Sequence, residues 1–182
     1  MKALPLLLVT IMACSCAVPP QKFNRVVVDK KSGKEVLIGY CTREGLKGDV
    51  FGSYFETEYN SYEPETRIIE KLKSLPGDWT ATIVLGTWCS DSHREVPRFF
   101  RIMDEAGFQD SQVSLICVDR AKEAEGVDIS ELGVTLVPTF IFYRKGKEMG
   151  RIIETPVETL EMDMLVALAR PAVPPTPGKA PK

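Results

Sequence analysis

The sequence is poor in histidine, in basic clusters and in long apolar runs, and each shortage removes a class of function. His93 is the only histidine, so a centre built from several imidazoles is excluded. With Cys89 and Asp91 it makes no convincing ligand set, and neither a metal nor another cofactor is expected. The 23 Lys and Arg residues face 25 Asp and Glu, for a net charge of −2 without a basic block. Nucleic-acid phosphates therefore have no electrostatic reason to bind this chain. The apolar run Ala3 to Ala13, broken only by Pro5 and Thr10, falls well short of the roughly 20 residues that cross a hydrocarbon core. No internal repeat is visible, and the length and 44% hydrophobic content fit one compact domain.

What stands at the N-terminus reads as an address. Lys2 precedes the short apolar run as in a cleaved signal peptide, so removal of residues 1–13 is expected. The junction Ile11-Met12-Ala13-Cys14 resembles the lipobox of bacterial lipoproteins, which implies acylation of Cys14 and a lipid-anchored protein of the bacterial cell envelope, facing the periplasm. Ser15 is no strong retention signal, which favours the outer membrane slightly. An ordinary signal-peptidase site among these small residues is the alternative. Residues 14–24 then form a lipidated tether, and the Pro-rich stretch 171–182 has too many prolines for regular structure and too few apolar groups for burial.

Between these ends, Arg25 to Asp29 and Glu35 to Tyr40 are β-prone runs flanking a turn with Gly33, the pattern of a hairpin. Phe51, Tyr54, Phe55 and Tyr59 recur at helical spacing within Val50 to Tyr62 and read as a buried aromatic stripe. A second helix is expected to open at Pro64 and to bury Ile68, Ile69, Leu72 and Leu75. These elements make residues 25–79 an N-terminal hairpin and helical extension. Residues 80–170 then read as strand, helix, strand, short helix, strand, strand and helix, an α/β order calling for a mixed central sheet with helices on both faces. The short helix is expected to start with capping-box spacing at Asp128 and Glu131, and the last one at Thr155-Pro156 with Glu158 behind them.

Two motifs resemble those of the thioredoxin superfamily, in the family's order. Trp88-Cys89-Ser90-Asp91-Ser92 leaves the strand Thr80 to Leu85 and enters a helix carrying Pro97, where thioredoxins have a kinking proline. Val137-Pro138-Thr139 precedes the hairpin and looks like the family's cis-proline turn opposite the active cysteine. The resemblance covers Thr80 to Ala169 and implies a thioredoxin-like fold.

A thiol at the start of a helix faces unpaired N–H groups and the positive end of the macrodipole, which favours the thiolate, the attacking form. Ser92, one turn along, is expected to donate to the Cys89 sulfur, and Trp88 to shield one side of it. Pro138, if cis, presents the backbone of Val137 to an extended substrate chain. Asp91 and His93 are candidates for tuning the thiol, although the family's equivalent of His93 points to solvent.

The chain departs from the family at two places. Ser92 stands where the second thioredoxin cysteine would release the mixed disulfide, which excludes a dithiol cycle within the motif. The family's buried acid aligns with Ile83, so that proton acceptor is missing. Cys117, in the apolar strand Val113 to Val118, is expected to be an inert buried thiol. Cys41, at a strand end, is a possible resolving partner for Cys89, provided their Cα atoms approach within the range a disulfide spans. Two functions remain open: an envelope thiol-disulfide oxidoreductase acting on protein or small-molecule thiols and disulfides, and a binding module that docks extended peptides without turnover.

Overall fold

The computed structural model describes residues 22–170. The signal segment, Cys14 with most of its tether, and the Pro-rich tail lie outside the described residues.

The chain opens with the expected hairpin, β1 (Arg25–Val28) against β2 (Glu35–Cys41), in the register Arg25↔Ile38 to Val28↔Glu35. Its turn is held by Asp29, whose carboxylate accepts from the Ser32 hydroxyl at 2.6 Å and from the Lys31 N–H at 3.2 Å. Gly33 supplies the left-handed residue, at φ 68°. A one-turn helix not foreseen from the sequence follows, α1 (Arg43–Leu46), capped by Thr42, which accepts from the Gly45 N–H.

The aromatic stripe lies on α2 (Gly52–Ser61) and at its N-cap. Phe51 and Phe55 are buried, while Tyr54 is 43% exposed. The next helix, α3 (Thr66–Lys73), starts after Pro64 rather than at it and buries Ile68, Ile69 and Leu72.

The sheet grows around β3 (Trp79–Leu85), which lies parallel to β4 (Val113–Cys117) and antiparallel to β5 (Thr139–Arg144). β6 (Lys147–Ile153) closes one edge against β5. The hairpin closes the other by pairing β2 with β4, giving the order β1-β2-β4-β3-β5-β6. The residues before Thr80 are therefore continuous with the sheet.

Alternation along the strands sends residues to two different cores. Ala81, Ile83 and Leu85 join Leu115, Cys117, Phe140 and Phe142 in the larger one, packed under α4 (Ser90–Ala106) and α5 (Leu160–Ala169). Val84 and Ile116 face a smaller cluster, closed over by Ala124, Ile129, Leu132 and Val137.

Two helix starts differ from expectation. The short helix after Asp128 is only a 3₁₀ turn, Ser130–Leu132, and Asp128 accepts the Ser130 N–H in a local turn instead of forming a box with Glu131. Gly133, at φ 60°, stops it after three residues. The last helix begins five residues later than Thr155, at Leu160. Its cap is Thr159, whose hydroxyl accepts from the Met162 N–H. Val157 is consequently 93% exposed instead of aligned with Leu160, Met164 and Leu168, and its N–H is taken by the Asp163 carboxylate.

Candidate functional site

The candidate site forms where β3 ends and α4 begins. Cys89 is the N-cap of α4, extended at φ −99° and ψ 128°, with its carbonyl accepting the His93 N–H at 3.0 Å. The helix is long, 17 residues, and Pro97 inside it leaves the His93 carbonyl without its usual i+4 donor. Gly107, at φ 75°, ends the helix.

The Cys89 sulfur is half-buried. Its S–H donates to the Val137 carbonyl at 3.2 Å, so the two motifs meet in space. The Val137–Pro138 peptide is cis. Val137 and Thr139 are buried, and the Thr139 hydroxyl donates to the Leu136 carbonyl at 2.7 Å. Thr139 thus holds the turn together from inside, while Leu136 beside it is 43% exposed.

Trp88 is anchored more firmly than the sequence suggests. Its indole N–H donates to the Val118 carbonyl at 2.9 Å, and the Arg120 guanidinium lies 4.7 Å from the ring centroid. Arg120 in turn binds Asp29 of the hairpin turn at 2.9 Å. A cleft of about 670 Å³ opens between the hairpin and the 119–125 segment, with Trp88, Ile38, Asp29 and Arg120 in its wall. Cys89, Val137 and Pro138 do not line it. Gly86 is obligatory beneath the indole, since a Cβ there would sit 2.6 Å from a ring atom.

Three sequence expectations are corrected by these contacts. Ser92 is fully buried, and its hydroxyl accepts the Gly86 N–H at 3.2 Å; it braces the turn before the thiol rather than serving the sulfur. His93 does not point to solvent. Its Nε2 lies 2.8 Å from the Thr87 carbonyl, and its ring stacks on Tyr54 with centroids 3.7 Å apart. Cys41 is not near Cys89 at all: it is buried in the larger core against Cys117, with sulfurs 3.1 Å apart, whereas Cys89 packs with the smaller cluster on the opposite face of the sheet. The sheet itself separates the two thiols, which removes Cys41 as a resolving partner. Asp91 is engaged in a surface pair with Arg94 at 3.1 Å.

Thr87 is the residue that motif reading passed over. It is buried, and its hydroxyl accepts the Leu37 N–H of β2 at 3.0 Å. The hairpin is thereby fastened to the turn that carries Cys89. A polar residue between Gly86 and Trp88 was the signal available.

One buried acid lies further along α4. Glu95, 2% exposed, accepts from Arg94 through one oxygen, and its other carboxylate oxygen has no partner among the described residues. A second, Glu161, accepts the Tyr62 hydroxyl at 2.5 Å and the Glu65 N–H at 3.0 Å. Burial opposes its ionisation, but those two donors hold its carboxyl below the ordinary glutamate range. Burial, together with the same contact, pushes the Tyr62 phenol up.

The sequence matches no protein-family model and no curated protein. Among solved structures, the chain is distantly similar to mitochondrial thioredoxin 3 of Saccharomyces cerevisiae, at 21% identity over 53% of this chain and 86% of that one, with a TM-score of 0.32. Thioredoxin O2 of Arabidopsis thaliana is 18% identical over 60% of this chain and 92% of that one, with a TM-score of 0.37. A Pseudomonas aeruginosa protein of unknown function is 11% identical over 65% and 76%, with a TM-score of 0.43. The thioredoxin-like fold rests on the topology: a mixed six-stranded sheet flanked by helices, with Cys89 opening α4 and Pro138 opening β5.

Proposed function

We propose that this chain is a thiol-disulfide oxidoreductase of the bacterial cell envelope that works with one thiol, Cys89, and is held at a membrane surface through acylated Cys14. The observation that supports it best is the position of the Cys89 sulfur, half-buried at the N-cap of a 17-residue helix and 3.2 Å from the Val137 carbonyl. Of the three free thiols among the described residues, Cys89 alone is open to a substrate disulfide.

The thiolate of Cys89 displaces one half of a substrate disulfide, forming a mixed disulfide and releasing the other half as a thiolate. An external thiol then attacks the substrate sulfur and returns Cys89 to its reduced form. Ser92 bears no sulfur and is committed to Gly86, so the resolving thiol comes from outside the motif. Trp88 walls one side of the site, and the Val137-Pro138-Thr139 turn is where an extended polypeptide docks by backbone pairing.

The alternative is a module that binds extended peptides without exchange, favoured by the bracing role of Ser92. Trapping separates the two. Wild-type protein incubated with envelope extracts is expected to accumulate reductant-sensitive mixed disulfides, and Cys89→Ser none; equal accumulation by both ends the oxidoreductase reading. Incorporation of labelled fatty acid, lost in Cys14→Ala, tests the anchor.

A further inference from the structure

Cys41 and Cys117 are two free thiols that the proposed chemistry of Cys89 leaves unused. They come from neighbouring antiparallel strands, 76 positions apart in sequence, and their sulfurs lie 3.1 Å apart inside the larger core. The register explains why they meet. Cys41 lies opposite Leu115, and Cys117 lies opposite Gly39. The two cysteines are therefore diagonal neighbours across this strand pair, and both side chains enter the larger core. A disulfide bond is about 2.05 Å long, so closing it takes a movement of about 1 Å.

We propose that Cys41 and Cys117 form an internal disulfide that staples the N-terminal hairpin to the central sheet, as a second thiol centre independent of Cys89. The hairpin has reason to need one, because β2 meets β4 over only three paired positions, Gly39 to Cys41. Two parts of the Cys89 site depend on the hairpin staying there: Thr87 bonds Leu37 of β2, and Arg120, stacked on Trp88, bonds Asp29 of the turn. A cross-link between distant positions removes freedom mainly from the unfolded chain, so its effect appears as stability.

The oxidant is a small-molecule disulfide such as glutathione disulfide. The Cys41 thiolate attacks it, forming a mixed disulfide and releasing one glutathione thiolate. The Cys117 thiolate then attacks the Cys41 sulfur and expels the second. Two thiols are oxidised, one disulfide is reduced to two thiols, and the protein loses two hydrogens. In the folded protein both groups are buried, and burial beside Cys41 pushes the Cys117 thiol well up. Exchange therefore takes place while the chain folds or while the hairpin is open.

The test is to refold the full chain across glutathione to glutathione-disulfide ratios, quench, block free thiols with N-ethylmaleimide in denaturant, and map the peptides. The expected result is a reductant-sensitive peptide pair joining Cys41 to Cys117, and a thermal midpoint about 5 °C or more above that of the reduced protein. A Cys41→Ala, Cys117→Ala double variant should lose the redox dependence of its midpoint, and Cys89→Ser should retain it. Recovery of Cys41 and Cys117 as singly blocked residues at every ratio overturns the proposal, as does a link from either to Cys89. A formed link with no change in midpoint overturns the staple.

Discussion

The imidazole of His93 lies flat against the Tyr54 ring, 9° from parallel, while its Nε2 reaches the Thr87 carbonyl at 2.8 Å. One residue thus joins α2, α4 and the turn that carries the thiol. Phe51 completes the enclosure edge-on at 5.5 Å. His93→Ala removes an aromatic pair and a hydrogen bond, which together amount to about 1–2 kcal/mol. Urea denaturation should show that loss, and His93→Phe should recover part of it by restoring the stack without the bond. An alanine variant as stable as wild type would mean that neither contact contributes.

Cys89 is half-exposed, whereas Cys41 is 5% exposed and Cys117 fully buried. Reduced, folded protein treated with iodoacetamide should therefore carry label at Cys89 at least about 100-fold faster than at the other two, which react only when the hairpin opens. Peptide mass spectrometry against time measures the three rates. Comparable rates at Cys41 and Cys89 would show that the larger core does not protect its thiols.

Thr159 and Thr155 separate two possible starts for the final helix. Thr159 caps α5 through its hydroxyl, so Thr159→Ala should cost about 1 kcal/mol. Thr155→Ala, outside the helix, should change stability by less than about 0.5 kcal/mol. The reverse order, read from chemical denaturation, would place the start of the helix at the earlier threonine.

Glu161 links folding to acidity. Its folded carboxyl holds a proton less tightly than an ordinary glutamate, because the Glu65 N–H and Tyr62 hydroxyl outweigh the opposing effect of burial. Its contribution is complete above the ordinary glutamate range, near pH ~4.3, and disappears as the pH falls through the lowered value, since the unfolded chain takes up the proton first. Thermal midpoints of wild type should fall on that acid limb, and Glu161→Gln should start lower and fall less. Tyr62→Phe, which removes a hydrogen bond to a charged group, should cost about 1.5–3 kcal/mol near neutral pH. Parallel acid limbs for wild type and Glu161→Gln would show that this carboxylate is not coupled to folding.

The sequence by itself determined the order of the six strands and the longer helices, the N-terminal hairpin and a thiol at the mouth of a helix. These are written in local patterns: two-residue alternation in the strands, the Ile68, Ile69 and Leu72 spacing in α3, and Gly33 and Gly107 as left-handed stops. The meeting of Cys89 with Val137, 48 positions away, was legible only through the resemblance of the two motifs to a known pair. Only the tertiary structure decided what each polar side chain touches. Ser92 turned to Gly86 and not to the sulfur, because α4 buries that face completely. His93 found Tyr54, which a separate helix brings to it. Thr159 took the place of Thr155 as cap, and the Asp163 carboxylate, from the first turn of the helix, took the N–H of Val157. Cys41 met Cys117 because β2 joined β4 in a register that sets the two diagonally across the strand pair, both in the larger core. Periodicity is a property of neighbours along the chain, whereas a hydrogen-bond or sulfur partner is a property of strands and helices already packed together.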